Sequence, residues 1–138
     1  MAEVEGLGET ERFFEELAAK VRAELFPQIE AAAEDFANVA RAVAPVSPLE
    51  KNAGDLKAGI RTRPGNKEGQ VMIVNDAQDA EGRYYAAHVE FGHKSRNGAH
   101  VPAHPSFFPA WRLTRPKIYA RLSRTLGRIV RATKANVL

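Results

Sequence analysis

The chain contains no cysteine. This absence excludes a disulfide framework, a thiol nucleophile and a zinc site built on cysteine ligands. The sequence also lacks any apolar run near the ~20 residues that cross a bilayer, and its acidic start is unlike a signal peptide. We therefore expect a soluble protein that is made in the cytoplasm, has no contact with a membrane, and owes its stability to packing or assembly.

Acidic residues are missing from the C-terminal end. The stretch from Arg112 to Leu138 holds eight basic residues and no acidic one, whereas Met1 to Ala40 holds ten acidic and three basic residues. The net charge of +3 conceals this separation. Opposite charge at the two ends predicts pairing between the terminal segments, either within one chain or between copies.

The N-terminal third has the spacing of helices. Residues 1–9 are expected to form a loose start, after which Thr10 can cap a first helix. Pro27 either kinks this helix or opens a second one that has its own apolar stripe. Residues 44–54 contain two prolines and are expected to form a loop.

The middle and the end of the chain complete a single domain over residues 1–138. Segments 56–63 and 70–75 flank a Pro/Gly/Asn turn and should form an antiparallel hairpin, although the first segment also suits a helical turn. Tyr84 to Phe91 alternates apolar and polar residues, which predicts a third strand. The last segment is a predicted helix, with Pro116 in its first turn or at a kink. The expected fold class is α+β, a small antiparallel sheet of hairpin plus strand packed by N-terminal and C-terminal helices.

A long loop over residues 92–104 follows the predicted third strand and ends at an aromatic cluster. A loop of this length that is tethered at both ends suggests contact with a partner. The aromatic rings are expected in the core, or at an interface where they are exposed. The candidate interface residues are Glu90, Phe91, Gly92, His93, His100, His104, Phe107, Phe108 and Trp111.

Four histidines lie around Glu90 in the sequence. The spacing His88-x-Glu90-x-x-His93 differs from the helical metalloprotease motif, which needs two histidines one turn apart. No nucleophile or second carboxylate accompanies Glu90, so a salt bridge to an arginine is favoured over a role as general base. We expect no catalytic residue, no metal and no cofactor, with a metal-dependent hydrolase as a remaining alternative.

A stripe of five cations follows one face of the C-terminal helix. Its members are Lys117, Arg121, Arg124, Arg128 and Arg131. Three interpretations stay open: pairing with the acidic N-terminal helix, sequence-independent DNA binding, and a solvated helix face. Charge pairing ranks ahead of DNA binding because the stripe lacks interleaved aromatic residues and no helix-turn-helix or zinc pattern is present.

Two blocks of the sequence resemble one family of bacteriophage proteins. The downstream block reads Tyr85-Ala86, Val89-Glu90-Phe91-Gly92, a polar loop, then Pro102, His104-Pro105, Phe107 and Pro109-Ala110. The upstream block reads Ala44-Pro45-Val46, Gly54, Leu56-Lys57 and Ile60. The order and spacing of these blocks are similar to those of a tail-component family of head-tail joining and tail-completion proteins in the neck of siphovirus-like particles.

The resemblance implies a non-enzymatic virion protein that forms a ring in the phage neck or tail top and completes the tail or joins it to the head. It implies a cyclic homo-oligomer of six copies that contacts the adjacent neck connector or stopper and the tail tube protein. Genomic DNA would pass through the lumen without specific binding. The alternative that follows from the residues alone is a small DNA-binding protein that uses the arginine stripe.

Overall fold

The computed structural model describes residues 5–46 and 54–137. Residues 1–4 of the expected loose start and residues 47–53 of the expected loop lie outside the described residues. The elements, in chain order, are helix α1 (Leu7–Lys20), a π-helical turn (Val21–Leu25), α2 (Phe26–Val43), α3 (Asp55–Ala58), strands β1 (Ile60–Pro64) and β2 (Val71–Asn75), helix α4 (Ala86–Phe91), strands β3 (His93–Lys94) and β4 (His100–Val101), and helix α5 (Phe107–Val137).

The first helix begins four residues earlier than the sequence suggested. Gly6 precedes α1 with φ 85°, a conformation that glycine adopts without strain. Thr10 is therefore inside the helix, and its hydroxyl donates a hydrogen bond to the carbonyl of Gly6 at 3.0 Å. The prediction that Thr10 caps the helix is wrong, because glycine supplies the turn that starts it.

The expectation that Pro27 opens a second helix is confirmed, although no loop separates that helix from the first. A π-helical turn at Val21–Leu25 connects α1 to α2, and Pro27 lies in the first turn of α2. A proline ring clashes with the carbonyl four residues earlier, here that of Ala23. The wider π turn accommodates this clash, so that α1 and α2 follow one continuous helical backbone.

Helix α5 packs along α2, the π-helical turn and α1, largely through small side chains. The buried residues of α2 are Ala32, Ala33, Phe36, Ala37 and Ala40, and those of α5 are Ala110, Thr114, Thr125, Ile129 and Thr133. Small residues let two helix backbones approach closely, and each buried threonine hydroxyl donates to the carbonyl four residues before it, at 2.8 to 3.0 Å. The core is therefore shallow and has no unsatisfied hydroxyl. Pro116 lies inside α5 and outside its first turn, because the helix already begins at Phe107.

The predicted hairpin is confirmed. Strands β1 and β2 pair antiparallel, with Ile60 opposite Asn75 and Pro64 opposite Val71. The guanidinium of Arg41 donates two hydrogen bonds to the carbonyl of Ile60, at 3.0 and 2.8 Å, and ties this strand to α2. The segment before it forms the helical turn α3, so the strand starts later than position 56.

The predicted strand from Tyr84 to Phe91 is wrong at the level of the element. Residues Ala86–Phe91 form helix α4, and Tyr84 contributes only an isolated bridge to Gln78. The more buried residues of this region are Tyr85, Ala86, Val89 and Glu90, which is a helical spacing. Over so few residues the two periods cannot be separated. The second sheet is instead the short β3–β4 pair, so the α+β class is confirmed with two small antiparallel sheets.

None of the helices in the described part of the chain combines the length and the apolar character that a membrane crossing needs.

We predict that the α2–α5 contact tolerates no added volume. Ala40 is fully buried, so Ala40→Leu should lower the free energy of unfolding by about 1–3 kcal/mol through overpacking. Ala42 on the same helix is exposed, and Ala42→Leu is the matched control, with an expected change within about 0.5 kcal/mol. Urea unfolding followed by circular dichroism measures both, and equal values for the two variants would contradict this packing.

Candidate assembly surface

An open apolar groove lies between the helices and the β1–β2 hairpin. Its volume is about 720 Å³. The walls come from α2, α3, β2, α4 and α5, with Ile29, Phe36, Leu56, Val71, Ile73, Val89, Phe91, Phe108, Trp111 and Leu122 among the lining residues. Exposed apolar surfaces mark interaction sites, and the volume of this groove is within the ordinary range of binding pockets.

Glu90 holds the groove walls of α4 and α5 together. One carboxylate oxygen accepts hydrogen bonds from the backbone N–H groups of Ser106 and Phe107, at 2.7 and 3.2 Å, and the other accepts from Phe108 at 3.1 Å. These N–H groups lie at the start of α5, where backbone donors have no acceptor within the helix. The negative charge also lies at the positive end of the helix dipole. Glu90 therefore caps α5 from a distant part of the chain, and the expected salt bridge to an arginine is absent among the described residues.

The segment 92–104 is held close to the protein body. Gly92 has φ 76°, and a Cβ added there would lie 2.9 Å from the carbonyl oxygen of Val101 and 3.0 Å from the nitrogen of Ala103. The N–H of His104 donates to the carbonyl of Val89 at 2.8 Å. Together with the β3–β4 pairing, these contacts make the expected loop a small hairpin with an exposed tip at Arg96 and Asn97.

The aromatic cluster divides between the core and the rim of the groove. Phe107 packs edge-on against Phe36, with ring centroids 5.7 Å apart. Phe91 is 69% exposed and Phe108 is 53% exposed, and their rings contact each other with centroids at 6.1 Å. Trp111 lies between these environments, against both Phe36 and Tyr119. Phe107 therefore packs against the core, while the interface role expected of the exposed rings stays a prediction.

The histidines do not come together as a metal site. The rings of His88 and His93 are 5.0 Å apart, while His100 and His104 are exposed. The Nδ1 atom of His93 is buried and has no hydrogen-bond partner. Among residues 5–46 and 54–137, no three side chains of the metal-binding types are grouped around one point.

The connection from β2 to α4 is shaped by Asp79. Its carboxylate accepts from the backbone N–H groups of Glu81 and Arg83 and forms an ion pair with the Arg83 guanidinium. These bonds, the backbone N–H of Arg83 foremost, lower the pKa of Asp79 from its ordinary value. Burial raises the pKa of Tyr85, and the charges of Asp55 and Asp79 add to this effect. The resulting turn brings the chain back to the groove at the start of α4.

The cation stripe on α5 is only partly engaged. The guanidinium of Arg121 contacts Asp35 Oδ2 at 2.9 Å and Gln28 Oε1 at 2.8 Å, which joins α5 to α2. Lys117, Arg124, Arg128 and Arg131 are exposed and make no ion pair within the described part of the chain. The acidic side chains of α1 are likewise unpaired there. Charge pairing within the subunit therefore uses one cation of the stripe.

The chain exposes more surface than its mass predicts. Its accessible area is 10015 Å², about 40% more than the roughly 7100 Å² expected of a compact monomer of this size. The largest side chains that are fully buried are those of Ile60, Ile129 and Thr133, so every described aromatic ring retains some exposure. This excess is surface that a contact with another molecule could bury.

The groove itself was not predicted from the sequence. The sequence predicted that the helices pack on the small sheet, and the structure leaves part of the face between β2 and α2 open. Of the candidate interface residues, Phe91, Phe108 and Trp111 line the groove, together with Glu90 and Phe107, while Gly92, His93, His100 and His104 belong to the adjacent small hairpin. The continuous apolar run from Val71 to Val74 was the available signal for the β2 wall.

Comparison with known proteins identifies a family. A family model described as "HK97-gp10_like: Bacteriophage HK97-gp10, putative tail-component" matches residues 8–92. The match covers more than half of the chain, from α1 to the end of α4, and confirms the resemblance to a phage tail-component family. No curated protein and no solved structure matches the chain.

We predict that Glu90 is a stabilising residue through its bonds to α5. Glu90→Ala should lower the free energy of unfolding by about 1–3 kcal/mol, because three backbone donors lose a charged acceptor. Glu90→Gln keeps one acceptor oxygen and should cost less. Glu30→Ala, at an exposed position of α2, is the control with an expected change within about 0.5 kcal/mol. Thermal and urea unfolding measure the series, and equal stability of Glu90→Ala and wild type would exclude the cap.

Proposed function

Because the chain belongs to the HK97 gp10-like family of bacteriophage tail components, we propose that it is a structural subunit of a closed ring in the neck or tail top. In this role it completes the tail or joins it to the head, and it has no catalytic activity. The ring contains six copies, in keeping with the symmetry of the tail tube. The adjacent neck connector or stopper and the tail tube protein are its other partners.

The observation that carries this proposal is the incomplete burial of the subunit. A ring subunit has two lateral faces, and a standard interface covers about 800 Å² on each partner. Two such faces remove roughly 1600 Å², which is more than half of the excess surface. The open groove and the exposed rings at its rim are the apolar part of what such an interface buries.

The distribution of charge supports a head-to-tail arrangement of subunits. The acidic and basic segments of one chain are complementary, yet Arg121 and Asp35 form the ion pair that joins α5 to the acidic helix within the described residues. In a cyclic assembly the remaining acids of one copy face the remaining cations of the next, which is a heterologous contact that closes. DNA then passes through the lumen without being bound, because the exposed cations are engaged between subunits.

The small hairpin of residues 92–104 is proposed as the contact to the adjacent ring. Its tip, Arg96 and Asn97, is exposed and far from the turns that fix the segment to α4. Contact through a short hairpin leaves the lateral faces free for ring closure.

We predict a closed oligomer in solution. Light scattering behind a sizing column should give a mass near six subunits, either for the protein alone or after addition of the tail tube protein. A protein that remains monomeric with every neck and tail partner would refute the ring. Binding to random duplex DNA with a steep salt dependence by such a monomer would favour the DNA-binding alternative.

We also predict a separate effect of the hairpin tip. Arg96→Glu with Asn97→Asp should leave the mass of the ring and its melting temperature unchanged, since both positions are exposed. Particles that carry this double variant should show separated heads and tails in electron micrographs. Glu30→Lys, an exposed charge change on α2, is the control. Normally joined particles from the tip variant would remove the hairpin from the joining contact.

A further inference from the structure

Helix α1 carries an apolar stripe that the described residues of its own subunit leave largely exposed. Leu7, Phe14 and Ala18 share one helical face. Leu7 is 52% exposed and Phe14 is 60% exposed, and no residue of α1 is buried. Its other large apolar residues, Phe13 and Leu17, are partly buried. We call Leu7, Phe14 and Ala18 the α1 stripe.

The groove favours a helix as its occupant. Two polar side chains on its wall are already bonded: Asn75 donates to the carbonyl of Leu56, and the Glu90 carboxylate accepts from the start of α5. An extended segment could pair its backbone N–H and C=O groups only along the outer edge of β2, whose other edge pairs with β1. A helix satisfies these groups internally and presents only its side chains.

Charge at the rim of the groove selects an acidic helix. Arg115 lies one turn after Trp111 and one turn before Ile118 on the groove side of α5, it is exposed, and its guanidinium lies over the ring of Tyr119 at 5.4 Å. It makes no ion pair within residues 5–46 and 54–137. Glu11 lies between Leu7 and Phe14 on α1 and is equally unpaired there. The two surfaces are therefore complementary in polarity and in charge.

The α1 stripe cannot reach the groove of its own subunit. Phe14 and the groove residue Phe36 lie on one continuous helical backbone, and at 1.5 Å per residue they are separated by about 33 Å. The stripe and the groove thus lie at opposite ends of the molecule. When one end of a subunit binds the other end of the next, the contact is heterologous and repeats around a ring.

From these observations we infer that the α1 stripe of one copy docks in the apolar groove of the next copy, with Glu11 facing Arg115. This inference rests on the ring of the proposed function and names the surfaces that close it. The partner of the groove is a second copy of this chain, and the occupant is helix α1.

The absence of cysteine allows a direct test by site-specific cross-linking. Phe14→Cys and Phe108→Cys are made in separate chains, which are mixed under assembly conditions. A short bismaleimide is then added, and each of its two maleimide groups reacts with one cysteine thiol. A covalent dimer is expected from the mixture and from neither variant alone. Ala19→Cys, exposed on another face of α1, replaces Phe14→Cys as the control and should give no product. Dimers from Phe108→Cys alone would show groove-to-groove contact and overturn the inference.

Substitutions give an independent readout. Phe14→Ser should raise the protein concentration needed for assembly at least tenfold. It should leave the melting temperature of the subunit unchanged, because the Phe14 side chain is largely exposed. Ala19→Ser should leave assembly unchanged. Glu11→Arg and Arg115→Glu should each weaken assembly, and their combination in one chain should restore it.

The outcomes separate the inference from the ring on which it rests. An oligomer of six subunits that survives Phe14→Ser and gives no Phe14–Phe108 cross-link retains the ring and refutes the docking. A cross-link from the groove to the tail tube protein in place of a second copy also refutes it. A chain that never assembles with any partner overturns the ring and the docking together.

Discussion

The carboxylate of Glu90 is the point on which the arrangement of the groove depends. It joins the short helix α4 to the first backbone N–H groups of α5, and thereby fixes the angle between two of the groove walls. Backbone N–H groups at a helix start are costly when they have no acceptor, and this carboxylate accepts hydrogen bonds from those of α5. The same contact positions Phe91 beside Phe108. The hairpin of residues 92–104 begins and ends at this junction, with Gly92 and His104 packed against it.

A second constraint is the small size of the residues between α2 and α5. Alanine and threonine allow close helix packing, but their side chains bury little apolar area. Because each Å² of buried apolar surface stabilises the fold by roughly 25 cal/mol, these residues contribute little hydrophobic stabilisation. The larger apolar side chains instead line the groove, where they remain partly exposed. The same choice of residues therefore produces a rigid helical pair and a subunit with unused apolar surface. For a component of a phage tail, this combination is suited to a protein that completes its burial in an assembly.

Sequence reasoning predicted the fold to the extent that local patterns are decisive. The structure confirms the α+β class, the terminal helices and the hairpin with its Gly-containing turn. These features were predictable because the helices and the hairpin have strong periodic or turn signals in the sequence. The strand predicted at Tyr84 to Phe91 is wrong because eight residues are too few to separate the two periods. The helix that forms there is joined to the distant start of α5 through Glu90. The partner of Glu90 was missed for a related reason. The Glu90 carboxylate accepts hydrogen bonds from backbone N–H groups sixteen to eighteen positions away, and a pattern of side chains in the sequence does not reveal such a contact.

The sequence by itself determined the family, the separation of acidic and basic segments, and the exclusion of thiol chemistry, because these properties depend on residue identity and order. Only the tertiary structure decided that Arg121 pairs with Asp35 while its neighbours on the stripe stay exposed. It also decided that the apolar faces of α2, β2 and α5 enclose an open groove instead of a closed core. Whether apolar residues are covered depends on the distances between elements, and these are set by the packing of alanine and threonine between the helices and by the carboxylate that caps α5.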